Sequence, residues 1–269
     1  MRNRLSYIAQ LVVVLGGVLS MKFYYSAASV NQLRWILAPT TVLVEFVTGR
    51  HFAFESHAGY MSSDHTFLIA ASCAGVNFLI TSFLMLTIRH LWRQRSKHDQ
   101  ERLWRQWVFL PIAVVMAYAT TVVANTARIS IALQMQQTSW MVRWLDAEQL
   151  HRLEGVFVYF GFLLLLFVLW ERARLTSGRE LKPLGLLRLC FYPLVIYYAM
   201  TLGLPLANGA YRQSSFWEHA VFVVLAPVAI VLLIGGLGGA SRRMRKSYSV
   251  AHSVPFAVAD GLQSTSKHE

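Results

Sequence analysis

Six runs of apolar residues, most of them approaching 20 in length, constrain this chain more than any other feature. They fall at about 5–23, 73–88, 107–131, 151–170, 184–206 and 216–237. About 20 apolar residues in a helix span a hydrocarbon core roughly 30 Å thick. Within that core each backbone N–H and C=O must find its partner inside the structure, which a helix provides. The expected fold is therefore an all-α polytopic membrane protein of about six transmembrane helices. Only 14% of the 269 residues are charged, against about a quarter in a typical soluble domain.

The formal net charge of +12 raises the question of a nucleic-acid partner, and the placement of the charges answers it. Eighteen of the 25 Lys and Arg lie in four clusters: Arg2 and Arg4, residues 89–105, residues 172–188 and residues 242–267. These clusters alternate with the apolar runs as the positive-inside rule requires. The expected partner of this charge pattern is the lipid bilayer, with no nucleic acid, and both termini are expected in the cytoplasm. Residues 1–240 read as a single integral membrane domain and 241–269 as a polar, poorly ordered cytoplasmic tail. The first run lacks a clear small-x-small cleavage site after Tyr25, which favours a retained anchor over a cleaved signal peptide.

Residues 26–72 then lie outside. Within 31–49, Leu33, Ile36, Leu37, Leu43, Val44 and Val47 follow helical spacing but are joined by Arg34, Pro39 and Glu45. The pattern fits either an interfacial amphipathic helix or a broken, re-entrant segment. From 51 to 69 the period changes: Phe52, Phe54 and Ser56 alternate with their neighbours, His57-Ala58-Gly59 offers a turn and Thr66 to Ile69 is β-prone, so a small β-hairpin is expected before Cys73. An outer loop at 132–150 carries Trp140, Arg143 and Trp144, suited to the headgroup level. Pro193 and Pro205 are expected to kink the fifth span. No internal repeat is evident.

Three chemistry-bearing residues fall at the outer ends of three different spans. Cys73 opens the second span, where a helix N-terminus favours the thiolate, the nucleophilic form. Arg128 lies about 21 residues into the third span, a rise of roughly 32 Å that brings it near the outer interface. His151 starts the fourth span. A cysteine can attack a carbonyl, a histidine can take the thiol proton and return it to a leaving amine, and an arginine can stabilise an oxyanion or hold a carboxylate. Asn125, three residues before Arg128 on the same helix face, favours a shared polar site over an arginine that simply snorkels to headgroups. Gly75 lies two residues after the cysteine, and Gly155, one turn after His151, permits close approach of a neighbouring helix.

Each residue also has a plainer account. A cysteine in an apolar run is most often inert packing, and Cys190 is read that way. Two cysteines make no disulfide framework. His51, His57, His65 and His219 also map to the outer side, but no His-x-x-x-His or Glu-x-x-His spacing accompanies them, so neither a metal nor a cofactor is expected.

Cys73-Ala74-Gly75, Asn125-Thr126-Ala127-Arg128 and His151-Arg152-Leu153-Glu154-Gly155 resemble, in order, the Cys-(Ser/Ala)-Gly, Asn-x-x-Arg and His-x-x-x-Gly motifs of the exosortase/archaeosortase family. The stretch from Gly59-Tyr60 through Cys73-Ala74-Gly75-Val76-Asn77-Phe78 looks most like the exosortase K branch. The resemblance covers about 33–170; the last two spans add only hydropathy. Many members carry a glutamate two residues before the cysteine, where this chain has Ala71. The resemblance implies a prokaryotic inner-membrane cysteine peptidase or transpeptidase with its site on the outer face. Cys73 would be its nucleophile, His151 its base and acid, and Arg128 its third catalytic residue. Its implied partners are exported proteins ending in a short motif, a transmembrane helix and a basic cluster. The competing function class is a transporter or binding protein in which Arg128, Asn125 and His151 meet an anionic solute. The missing repeat argues against a typical secondary transporter.

Overall fold

The computed structural model describes residues 2–96, 103–137, 147–174, 183–213 and 216–234. The tail at 241–269 and residues 138–146 of the expected 132–150 loop, with Trp140, Arg143 and Trp144, lie outside these residues, while 132–137 and 147–150 are corrected to helix, continuing the spans on either side. Among the described residues, six helices are long and apolar enough to cross a membrane, at Leu5–Ala27, Ala71–Arg93, Trp107–Gln136, Arg152–Ala173, Cys190–Ala207 and Phe216–Ile234. The protein is thus an all-α, multi-pass membrane protein with one small sheet.

The elements follow the chain as α1 (Arg2–Ala27), α2 (Arg34–Thr48), strands β1 (Phe52–Glu55), β2 (Gly59–Ser62) and β3 (Leu68–Ile69), then α3 (Val76–Ser96), α4 (Leu103–Gln137), α5 (Ala147–Arg174) and α6 (Pro183–Tyr198). The last span follows at Phe216–Ile234. The chain continues from α6 through a π-helical stretch, Ala199–Gly203, into the short helix Leu204–Ala207. The interruption expected at Pro205 therefore takes the form of a widened turn just before it.

Helix α3 is the hub and packs against α1, α4, α5 and α6. One apolar cluster joins α1, α2, the sheet, α3 and α4 through residues such as Val14, Ile36, Ile69, Ile80 and Val122. A second joins α3 and α4 to α5, α6 and the last span through Met85, Phe160, Phe167, Tyr197 and Val223. Most of α1, by contrast, is open to its surroundings, as suits a lipid-facing helix. Lys22 Nζ ties the C-terminal part of α1 to the start of α3 by donating to Asn77 Oδ1 at 2.8 Å.

Helix α2 buries Ile36, Leu37, Thr40, Thr41 and Val44 and turns Val42, Phe46 and Val47 outward, Phe46 being 87% exposed. It is a packed amphipathic helix and is absent from the six candidate spans. Pro39 has no N–H to give to the Trp35 carbonyl one turn earlier. Tyr118 of α4 replaces it, its hydroxyl donating to Trp35 O at 2.7 Å while the two rings stack with centroids 5.8 Å apart. The charged residues that break the apolar pattern of 31–49 also have structural work: Arg34 sits 4.4 Å over the Phe54 ring, and Glu45 Oε1 accepts from Phe52 N at 2.7 Å. Both fasten α2 to the sheet.

The expected hairpin is present as β1–β2, in antiparallel register Phe52↔Ser62 to Glu55↔Gly59, and a third strand extends it, with Tyr60↔Ile69 and Met61↔Leu68 paired. The β2–β3 turn is held by Asp64, which accepts from Ser62 Oγ at 2.6 Å and Thr66 N at 3.3 Å. Those bonds, with a smaller contribution from Arg50, lower its carboxyl pKa from 3.8 to about 2. A depressed folded-state value means the contribution is present above about pH 4 and lost as pH falls toward 2. Exchange protection of the Thr66 and Phe67 amides should therefore hold from pH 7 to about 4 and fall below it, and Asp64→Asn should remove that step.

At the far end of α3 from the sheet, Glu171 of α5 is buried between two arginines. Arg89 Nε reaches Oε1 at 3.0 Å and Arg93 NH2 reaches Oε2 at 3.3 Å. Tyr192 of α6 joins this end by donating to Met85 O at 3.1 Å beneath the Arg89 guanidinium. Part of the basic cluster expected to set topology therefore also clamps three helices. Because the arginines are about one-third exposed, removing the carboxylate should cost about 1–3 kcal/mol, less than for a fully buried pair. Glu171→Gln should lower the apparent unfolding temperature of the purified protein in detergent while leaving the thiol reactivity of Cys73 unchanged.

Candidate active site

The sheet delivers the chain to Cys73. Strand β3 ends at Ile69, Ala70 follows in extended conformation, and Ala71–Ala74 forms a single 3-10 turn stabilised by Cys73 N donating to Ala70 O at 2.9 Å. The α-helical part of the span begins only at Val76. The expectation that Cys73 occupies the first α-helical turn is therefore corrected: it sits three residues earlier, in the turn that leads into the helix. The cause is Gly75, whose φ of 65° breaks the helical path between the two.

Gly75 also has a steric reason to be glycine. A Cβ there would lie 2.7 Å from Asn125 Nδ2, too close for any side chain. Asn125 is buried in the middle of α4 and uses this approach to donate from Nδ2 to Ala74 O at 2.9 Å. Its other amide atom, Oδ1, accepts from the Tyr159 hydroxyl at 3.0 Å. Tyr159, on α5, in turn accepts from Arg128 NH1 at 3.3 Å, and the Arg128 guanidinium lies 5.4 Å over its ring.

Arg128 is the charged centre of the site. Its Nε lies 3.2 Å from where a Cβ would stand on Gly155, so the second glycine opens α5 to the guanidinium. Three acidic groups lie within electrostatic reach: the Cys73 thiol, the Tyr159 phenol and the buried carboxylate of Glu154. Cys73 is half-buried, and it and Tyr25, near the end of α1, pack against the same apolar cluster.

The structure thus brings Cys73, Gly75, Asn125, Arg128 and Gly155 to one place. His151 lies on α5 one turn before Gly155 and shares its face by helical spacing; its side chain lies outside the described residues. Cys190 is fully buried on another span. Among the described residues, no group of three or more His, Cys, Asp or Glu could hold a metal.

Tyr159, Glu154 and Tyr25 were not picked out from sequence. Tyr159 had a signal, since His151, Gly155 and Tyr159 recur every four residues along one helix face. Glu154 stood inside a motif, and its role depends on its burial. Compared with family models, curated proteins and solved structures, the chain matches none. What the fold defines is a class, a multi-pass helical membrane protein with a cysteine, an asparagine and an arginine gathered at one end of the bundle.

The two glycines should respond differently to alanine. Gly75→Ala forces a left-handed residue and pushes Asn125 off the Ala74 carbonyl, at a cost of about 2–4 kcal/mol. Gly155→Ala asks only a flexible arginine to give way, against about 1 kcal/mol gained from alanine in a helix. Thermal unfolding in detergent should show a large loss for the first variant and little change for the second.

Proposed function

We propose that this protein is a membrane-embedded cysteine peptidase or transpeptidase that cleaves carboxy-terminal sorting signals from exported proteins. Its support is the convergence of the Cys73 turn, Asn125 and Arg128 from separate spans, together with the resemblance of those motifs to exosortases. In this reading the thiolate of Cys73 attacks the carbonyl carbon of the scissile peptide after His151 takes its proton. Arg128 stabilises the oxyanion. The C–N bond then breaks, His151 returns the proton to the leaving amine, and a thioester to Cys73 remains. An acceptor amine or water resolves it.

The protein would sit in a prokaryotic inner membrane with both termini cytoplasmic and the Cys73 end outward, following the Lys and Arg clusters. Its substrates would be exported proteins with a terminal motif, a transmembrane helix and a basic cluster. The transporter reading is disfavoured by how Asn125 is used. Both ends of its amide are engaged, one on the Ala74 carbonyl and one on Tyr159, so it braces the cysteine turn rather than lining a path for solute.

The reading is tested in cells that express an exported protein with such a terminus. Cys73→Ala should leave that protein at its uncleaved mass, and Arg128→Lys should slow processing at least about tenfold, because lysine lacks the bidentate fork. A thiol reagent that does not cross the membrane should label Cys73 and spare Cys190. Unchanged processing in Cys73→Ala would remove the cysteine mechanism.

A further inference from the structure

We propose that Tyr159 is a positioning residue that holds the Arg128 guanidinium toward Cys73 and couples it, through Asn125, to the turn carrying the thiol. The inference rests on the reading of Cys73 and Arg128 as the reacting pair.

A phenol hydroxyl has one proton and two lone pairs, and Tyr159 uses it as a junction. It donates to Asn125 Oδ1 at 3.0 Å and accepts from Arg128 NH1 at 3.3 Å. Asn125 Nδ2 then reaches Ala74 O at 2.9 Å. This arrangement fixes the amide orientation, since a flipped Asn125 would point its oxygen at the Ala74 carbonyl and its NH₂ at the phenol. The ring itself is held by Phe78, on the first turn of α3, which stacks on it with centroids 5.0 Å apart and planes at 20°. Phe78 N donates to Gly75 O at 2.9 Å, which closes the path back to the residue after Ala74.

The result is a closed ring through Tyr159, Asn125, Ala74, Gly75 and Phe78, spanning α3, α4 and α5, with Arg128 attached at the phenol. The Arg128 guanidinium has several ways to point from a flexible stem. A hydrogen bond at one NH group and an aromatic face beneath it restrict that choice. If Tyr159 were only a packing residue, its ring would suffice and the hydroxyl would be dispensable. The hydroxyl instead makes both bonds that link arginine to the cysteine turn.

The variant that isolates the hydroxyl is Tyr159→Phe, which keeps the stack on Phe78 and the face under Arg128. The readout is the local potential at the thiol. In a protein whose single cysteine is Cys73 (Cys190→Ala), rates of modification are compared for an anionic sulfonatoethyl and a cationic trimethylammonium-ethyl methanethiosulfonate. A guanidinium held near the sulfur favours the anionic reagent. Tyr159→Phe should lower the anionic-to-cationic rate ratio by about three- to tenfold, consistent with loss of one nearby oriented charge. Arg128→Gln should lower it at least as far, and the double variant no further than Arg128→Gln alone.

An unchanged ratio in Tyr159→Phe, or losses that multiply in the double variant, would overturn the proposal. So would an unchanged ratio in Arg128→Gln, because the charge would then not face the thiol. This measurement needs no substrate. Failure of the peptidase reading would appear separately, as unchanged processing in Cys73→Ala.

Discussion

The hydrogen bond from Asn125 to the Ala74 carbonyl is the contact on which the rest of the Cys73 end depends. It is buried, so its loss would strand a carbonyl and an amide together in an apolar medium where neither finds water. It requires Gly75, because any side chain there would occupy the space of the Asn125 amide. It also sets where Asn125 Oδ1 points, and so where Tyr159 and Arg128 settle. One donor and one acceptor thus organise three helices around a turn of four residues.

A bilayer makes such contacts more decisive than they are in water. Lipid tails are as apolar as leucine, so burial alone gives helices little reason to choose one neighbour over another. Packing and polar bonds specify the pairing. This protein places them at both ends of α3: the Asn125 network at its start and the Arg89–Glu171–Arg93 clamp toward its end. Between them, Phe78, Met85 and Leu86 on α3 meet Phe160, Leu163 and Phe167 on α5 in one buried cluster. Two polar anchors with a greasy interval between them set both depth and rotation of α3 against α5.

Much of this was legible in the residue order because membrane spans convert sequence distance into depth. Counting from Trp107 placed Arg128 in the outer part of its span, although α4 runs on past it to Gln137, and the alternation of apolar runs brought Cys73 and Gly155 to the same end. Sequence did not reveal contacts that cross between helices. Tyr159 repeats the spacing of His151 and Gly155, but an aromatic in an apolar run is ordinarily packing, and only its hydroxyl's partners distinguish it. The third strand was legible only as the β-prone stretch Thr66 to Ile69, because at two residues it is too short for alternation to register. The place of Cys73 in a turn rather than a helix follows from the approach of Asn125, 50 residues away, which fixes Gly75 in the left-handed region. Arg34, Pro39 and Glu45 read as interruptions of a helix, and each proved to have a partner or a substitute donor from elsewhere in the fold.

The shortness of the connections on either side of Cys73 has a kinematic consequence. Only Ala70 separates the end of strand β3 from the 3-10 turn, and only Gly75 separates that turn from α3. A residue of extended chain spans at most about 3.6 Å. With a sheet at one end, a membrane helix at the other and a hydrogen bond at its middle, the cysteine has almost no slack. It is mounted as a fixed post rather than carried on a swinging arm. On the peptidase reading, the peptide to be attacked would have to travel the remaining distance itself, and any hinge would belong to the substrate or to elements outside the span from β3 to α3.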